Sequence, residues 1–159
     1  MTTLMQAVTN NDLATARQLI EAGADVNEPD SGGNAPLITA AYQGHTDMTR
    51  LLLENGADVT AVDPGMKATA LHAAAYAGRT EPARLLIQHG IDIDKQGPYN
   101  GYTALHDAIW QNNIDTAAVI IDAGANLTLT NHNGQTPLDF ARAKNAHQIV
   151  TLIERKSAG

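Results

Sequence analysis

The sequence predicts an all-α protein built from short helix pairs in series, and three observations carry that prediction. Hydrophobic residues make up 43% of the 159 residues but aromatic ones only 4%, and alanine is very frequent. Small apolar side chains favour closely packed helices over a sheet sandwich, because alanine is the best helix former and lets backbones approach. Next, GADVN at 23–27 returns as GADVT at 56–60, GIDID at 90–94 and GANLT at 124–128, with spacings of 33, 34 and 34. A second series keeps the same period: APLITAAYQG from Ala35, TALHAAAYAG from Thr69, TALHDAIWQN from Thr103 and TPLDFARAKN from Thr136, with a degenerate copy, TTLMQAVTNN, from Thr2. Five units therefore cover nearly the whole chain, the signature of a repeat architecture.

Each unit reads as two helices. In the first, Leu71 is followed at three and four residues by Ala74 and Ala75, and Leu105 by Ala108 and Ile109, the buried stripe of a short helix. These helices stop at Asn11, Gly44, Gly78, Asn112 and Asn145, residue types that accept a left-handed turn most cheaply. Second helices follow, with apolar clusters at Leu19 and Ile20, Leu51 to Leu53, Leu85 to Ile87, Val119 to Ile121 and Ile149 to Ile153. Asp47, Glu81 and Asp115 fall in their first turns, at the positive end of the helix. Pro82 fits there too, since a first-turn residue needs no backbone donor. Gly23, Gly56, Gly90 and Gly124 end the second helices. A lone unit of this size cannot bury both of its helices, so stability must come from stacked neighbours.

A TALH start followed by alanines, a glycine turn, a second helix and GADVN resembles the ankyrin repeat, and four internal copies agree in motif and period. The resemblance implies a solenoid of stacked antiparallel helix pairs, with β-turn fingers projecting from one edge and a concave groove for partners. On this reading residues 1–159 form a single domain with repeats at about 1–29, 30–62, 63–96, 97–130 and 131–156. The first and last would be caps of a complete small protein. The family's His, which with the preceding Thr joins hydrogen bonds between repeats, stands at His72 and His106 but is Met5, Ile38 and Asp139 elsewhere, so only the third and fourth units, with Thr69 and Thr103, are expected to make that link. The fingers before these two units, DPGMKAT and DKQGPYNGYT, are each one residue longer than the others, and their Pro-Gly or Gly-Pro steps imply a distinct turn shape.

Helical geometry then predicts a surface. With Leu105 as the buried reference, Asp107 lies about 200° away and Trp110 about 140° away, so both face outward. The position of Trp110 is taken by Tyr42 and Tyr76 in the two preceding units, and by Thr9 and Ala143 in the end units. With packed helices about 10 Å apart, Tyr42, Tyr76 and Trp110 form a stripe roughly 20 Å long. Tyr99 and Tyr102 stand on the fourth finger beside it, so every Tyr and the one Trp fall on one surface. Tyr and Trp are enriched at binding hot spots, and the resemblance implies that these helix positions and finger tips touch the partner. Gln43 and Gln111, next along the helix, and Asp107 supply polar groups around the rings. The candidate partner-binding set is Tyr42, Gln43, Tyr76, Tyr99, Tyr102, Asp107, Trp110 and Gln111.

Charge narrows the partner. Residues 1–66 carry nine Asp or Glu against Arg17 and Arg50, whereas the rest of the chain balances eight against eight, for a net charge of -7. An acidic surface repels phosphate backbones, so nucleic acid is disfavoured and a protein with a basic patch is favoured. No apolar run reaches the roughly 18 residues of a membrane span, and the opening MTTLMQAVTNNDLATARQ does not read as a signal peptide, so a cytoplasmic protein is expected. His106 beside Asp107 suggests a catalytic pair, but adjacent helical side chains diverge by about 100° and cannot readily bond each other. Ser31 and Ser157 lack a nucleophile context, there is no cysteine, and no His pair has metal-ligand spacing. The expected protein is a non-catalytic binding module, without cofactor or metal and monomeric; a self-associating scaffold is the alternative.

Overall fold

The computed structural model describes residues 1–158 and contains ten helices in five consecutive pairs. They are α1 (Leu4–Thr9), α2 (Leu13–Glu21), α3 (Pro36–Gln43), α4 (Thr46–Glu54), α5 (Ala70–Ala77), α6 (Thr80–Gln88), α7 (Ala104–Trp110), α8 (Ile114–Asp122), α9 (Pro137–Ala143) and α10 (His147–Ala158). Odd-numbered helices pack on one another in series to form an inner layer, and even-numbered helices form an outer layer. Among the described residues the only β pairing is an isolated bridge between Val62 and Thr69. The architecture is the all-α solenoid that the repeat predicts.

Local chemistry sets each pair. Thr3, Thr69, Thr103 and Thr136 cap their inner helices with a side-chain oxygen, and the residue three further on bonds back to the cap. Two donors at each helix start are thereby satisfied at once. The first unit differs by one step: the register of its neighbours would put the cap at Thr2, but Thr3 takes it. Ala35 has no side-chain cap, and Pro36 occupies the first turn instead. The inner helices then end in left-handed residues, with φ of 54° at Asn11, 79° at Gly44, 72° at Gly78, 55° at Asn112 and 57° at Asn145. At two of these turns glycine also answers a close approach. Arg79 Nε donates to the Tyr42 carbonyl at 3.0 Å, and a Cβ on Gly44 would lie 2.8 Å from Arg79 Cδ. Asn113 Nδ2 likewise reaches the carbonyls of Ala75 and Tyr76 at 2.8 and 3.0 Å across Gly78.

The core is continuous along the stack. Ala40, Ala41, Ala74, Ala75, Ala108 and Ala141 are fully buried where inner helices meet, so small side chains set the spacing between repeats. Leu52, Leu86, Ile120 and Ile149 fill the seam between layers, each burial contributing about 1.5–3 kcal/mol. The histidine links form in the two expected units. His72 Nε2 lies 3.0 Å from the Tyr102 carbonyl and His106 Nε2 3.1 Å from the Gln135 carbonyl, one repeat further on. A carbonyl only accepts, so each ring donates from Nε2, and Nδ1 is left to accept from Thr69 or Thr103.

The fingers are tight hairpins. Asp30 N donates to Asn34 O and Asn131 N to Gln135 O, whereas Asp63 N reaches Ala68 O and Gly97 N reaches Tyr102 O, one residue longer. The longer loops each use a positive-φ residue, Lys67 at 57° and Gly101 at 72°. Asp30, Asp63 and Asn131 organise their loops by accepting backbone N–H groups. Gly97 cannot, and in its finger Asn100 accepts from Tyr102 N instead. His132 N donates to the Asn100 carbonyl at 2.8 Å, joining the fourth finger to the fifth.

Candidate functional site

Inner helices and fingers enclose a groove with a cavity of about 660 Å³. Its floor comes from α3, α5 and α7, through Ile38, Tyr42 and Gln43, then Ala73 and Tyr76, then Asp107 and Trp110; its wall comes from the fingers, through Asn34, Asp63, Met66, Asn100 and Tyr102. Tyr42, Tyr76 and Trp110 keep 51%, 45% and 47% of their surface exposed although they sit on well-packed helices. The inner helix explains this: one face is locked against neighbouring repeats, and the face 140° away is left to the groove.

Six of the eight predicted residues line this groove, namely Tyr42, Gln43, Tyr76, Tyr102, Asp107 and Trp110. Tyr99 lies outside it as an exposed residue of the fourth finger, and its carbonyl sits 3.1 Å from His132 Nδ1. Gln111 caps the end of α7 and is exposed beyond the groove. Tyr102 also departs from a free finger tip. It is half-buried, stacked at 5.6 Å on His106 and edge-on to Phe140 at 5.2 Å, so much of its ring packs between the fourth and fifth repeats. Trp110 is 6.3 Å from Tyr102 and stacks on Phe140 at 6.1 Å with 13° between planes, and Lys144 Nζ lies 3.7 Å from its ring centroid. Such a contact is a cation–π interaction, so one end of the aromatic row is held by the fifth repeat.

Electrostatics distinguish neighbours. Asp107 faces away from the outer helices as expected, but finger and floor residues half-cover it. Burial alone raises its carboxyl to about 7, with no hydrogen bond or nearby cation to offset the loss of water. It belongs to neither ion pair among the described residues, Arg50–Asp47 and Arg84–Glu81. The Tyr102 hydroxyl is pushed up by burial and then by the charge of Asp107, which lines the same groove. His72 and His106 are shifted down chiefly by burial. The ring nitrogens of His106 go to Thr103 and to the next repeat, and neither reaches Asp107. The pair adjacent in sequence is thus split between core and groove.

Sequence reasoning missed Met66, an exposed finger residue at the groove wall. It also passed over Asn34, Asn100 and the apolar floor at Ile38 and Ala73. Ile38 carried a signal: an apolar residue at the histidine position removes the inter-repeat link there. Met66 carried none, because its placement depends on the loop shape of the third finger. Among the described residues no group of three His, Asp or Glu side chains could hold a metal ion, and no helix is long and apolar enough to cross a membrane.

Comparison with known proteins agrees with this architecture. The family model for ankyrin repeats, in three copies, matches residues 1–63 and again 62–131. The chain is 41% identical over 71 residues to palmitoyltransferase Hip14 of Drosophila melanogaster, covering 45% of this chain and 11% of that protein. It is 43% identical over 60 residues to ankyrin repeat domain-containing protein 49 of Homo sapiens, covering 37% of this chain and 25% of that one. With the 2-5A-dependent ribonuclease of Homo sapiens it shares 43% identity over 56 residues, 35% of this chain and 8% of the relative. The chain thus aligns with a quarter or less of each of these relatives. Period, paired helices, capped turns and family match together make the chain a member of the ankyrin repeat family.

Proposed function

We propose that this chain is a non-catalytic module that binds a partner protein through the inner groove and the fingers beside it. Ankyrin repeats generally serve as protein interaction modules. The observation that carries the reading here is the row of Tyr42, Tyr76 and Trp110, half-exposed on three successive inner helices and facing one cavity. Large rings on a rigid floor bury much area at small entropic cost, the composition of a hot spot. An ordinary interface of about 800 Å² per side spans several repeats and reaches the fingers, including Tyr99 and Met66. Gln111, at the end of α7, then belongs to the rim.

The test starts with a partner purified from the native source on the immobilised full chain. Its affinity is then measured by calorimetry against wild type, Tyr76→Ala and Trp110→Ala. Each substitution is expected to weaken binding by roughly tenfold or more; affinities equal to wild type would place the binding surface elsewhere. A monomeric, cytoplasmic protein is the setting proposed with this reading. Light scattering and fractionation of the native protein check the two parts, and a mass that rises with concentration would favour self-association.

A further inference from the structure

The groove is apolar in its rings yet holds two acceptors without donors. Gln43 Oε1 is buried with no hydrogen-bond partner, and the Asp107 carboxylate is desolvated with nothing to offset it. Such groups cost free energy in the unliganded protein, because each has lost water and gained no donor. No lysine or arginine lines the groove. Two basic residues beside the floor are engaged: Lys144 lies over Trp110 and Arg79 on the Tyr42 carbonyl. Asp63, the other groove carboxylate, is taken up by the N–H groups of Gly65, Met66 and Ala68 in its own finger. Asp107 is left as the free anionic group, with Tyr76, Tyr102 and Trp110 lining the same cavity.

We propose that the groove seats a basic side chain, lysine or arginine, carried on an extended segment of the partner protein, with Asp107 as its counter-ion and the rings of Tyr76, Tyr102 and Trp110 around it. The inference rests on the groove being the binding surface and adds what the groove selects. Aromatic faces attract a cation electrostatically, most strongly where water is excluded, and a charge-assisted bond to a half-buried carboxylate exceeds one at the open surface. Lys144 over Trp110 shows a ring of this cluster already accepting an ammonium. Gln43 and Asp107 stand two repeats apart, roughly 20 Å by helix packing. An extended chain covers that in about six residues, so a donor group should precede or follow the basic residue at that distance.

The probes are thirteen-residue peptides, long enough to carry about six residues on either side, with variable flanks and a central arginine, lysine, norleucine or glutamate, screened as a bead library against the labelled full chain. The tightest binders are remade with all four central residues. Trp110 is the only tryptophan, so its indole N–H gives one NMR resonance that reports on groove occupancy. Basic versions are expected to bind at least about tenfold more tightly than norleucine versions and to shift that resonance. In Asp107→Asn the preference should fall below about threefold. That variant loses no hydrogen bond, and an unchanged free-state spectrum verifies its fold. Equal binding of norleucine or glutamate versions, or a basic preference that survives Asp107→Asn, would overturn the inference while the groove, if the indole still responds, stands. If no peptide moves the indole resonance, inference and groove fall together.

Discussion

At the residue scale, His106 and Asp107 are chain neighbours that titrate in opposite senses. His106, like His72, is held below its ordinary value by burial, so at neutral pH the folded state keeps both rings uncharged. As pH falls through about 6.5 the unfolded chain takes up protons that the folded one refuses, and this contribution to stability is lost from there downward. Asp107 is raised to about 7. Between that value and its ordinary range near 4 the folded state holds the extra proton, so its destabilising charge disappears as pH falls. Asp107→Asn should therefore stabilise the free protein by roughly 1–2 kcal/mol at pH 8 and by little at pH 4.5. Urea unfolding across that range checks it, and an equal gain at both pH values would show that the carboxylate is not desolvated. The sequence placed Asp107 in the candidate set beside Trp110, but its loss of water was beyond the sequence, because that depends on finger residues distant in the chain.

At the element scale, the turn chemistry explains how helices of six to twelve residues persist. Isolated helices of that length are marginal in water, so capping threonines, left-handed turns and stacking must act together. The turn glycines differ in what they do. Gly56 has φ of 89° with nothing near its missing Cβ, whereas Gly44, at 79°, sits under Arg79. Gly56→Ala should cost about 1 kcal/mol of backbone strain. Gly44→Ala should cost about 2 kcal/mol, since Arg79 must also give up its bond to the Tyr42 carbonyl. Thermal melts of the two variants compare them directly, and equal losses would show that Arg79 moves aside freely. Helices, turns and extra finger lengths were readable because they depend on residue type and spacing. The cap at Thr3 was not, because repeat alignment favours Thr2 and two adjacent threonines offer the same capping chemistry.

At the scale of the whole molecule, each repeat touches its neighbours alone, so stability is distributed along the stack. The N-terminal end is the weakest part: α2 buries only Ala16 fully and touches α4 at few points, whereas α4 and α6 bury four or more residues each. Amide exchange should be fastest in α1 and α2 and slowest from α5 to α8, where the histidine links join successive repeats. Uniform protection along the chain would instead indicate a single cooperative unit. The groove lies over the rigid middle, which suits docking without reordering. Period, alanine content and turn residues by themselves determined the repeat, its helix pairs and the outward position of Tyr42, Tyr76 and Trp110, since all of these follow from helical geometry along one chain. Only the tertiary structure decided that Tyr102 packs into the core seam, that Tyr99 and Gln111 stand outside the groove, that Met66 joins it, and that Asp107 is left without a donor. Those outcomes depend on how fingers fold over neighbouring helices, and on water removed by residues distant in sequence.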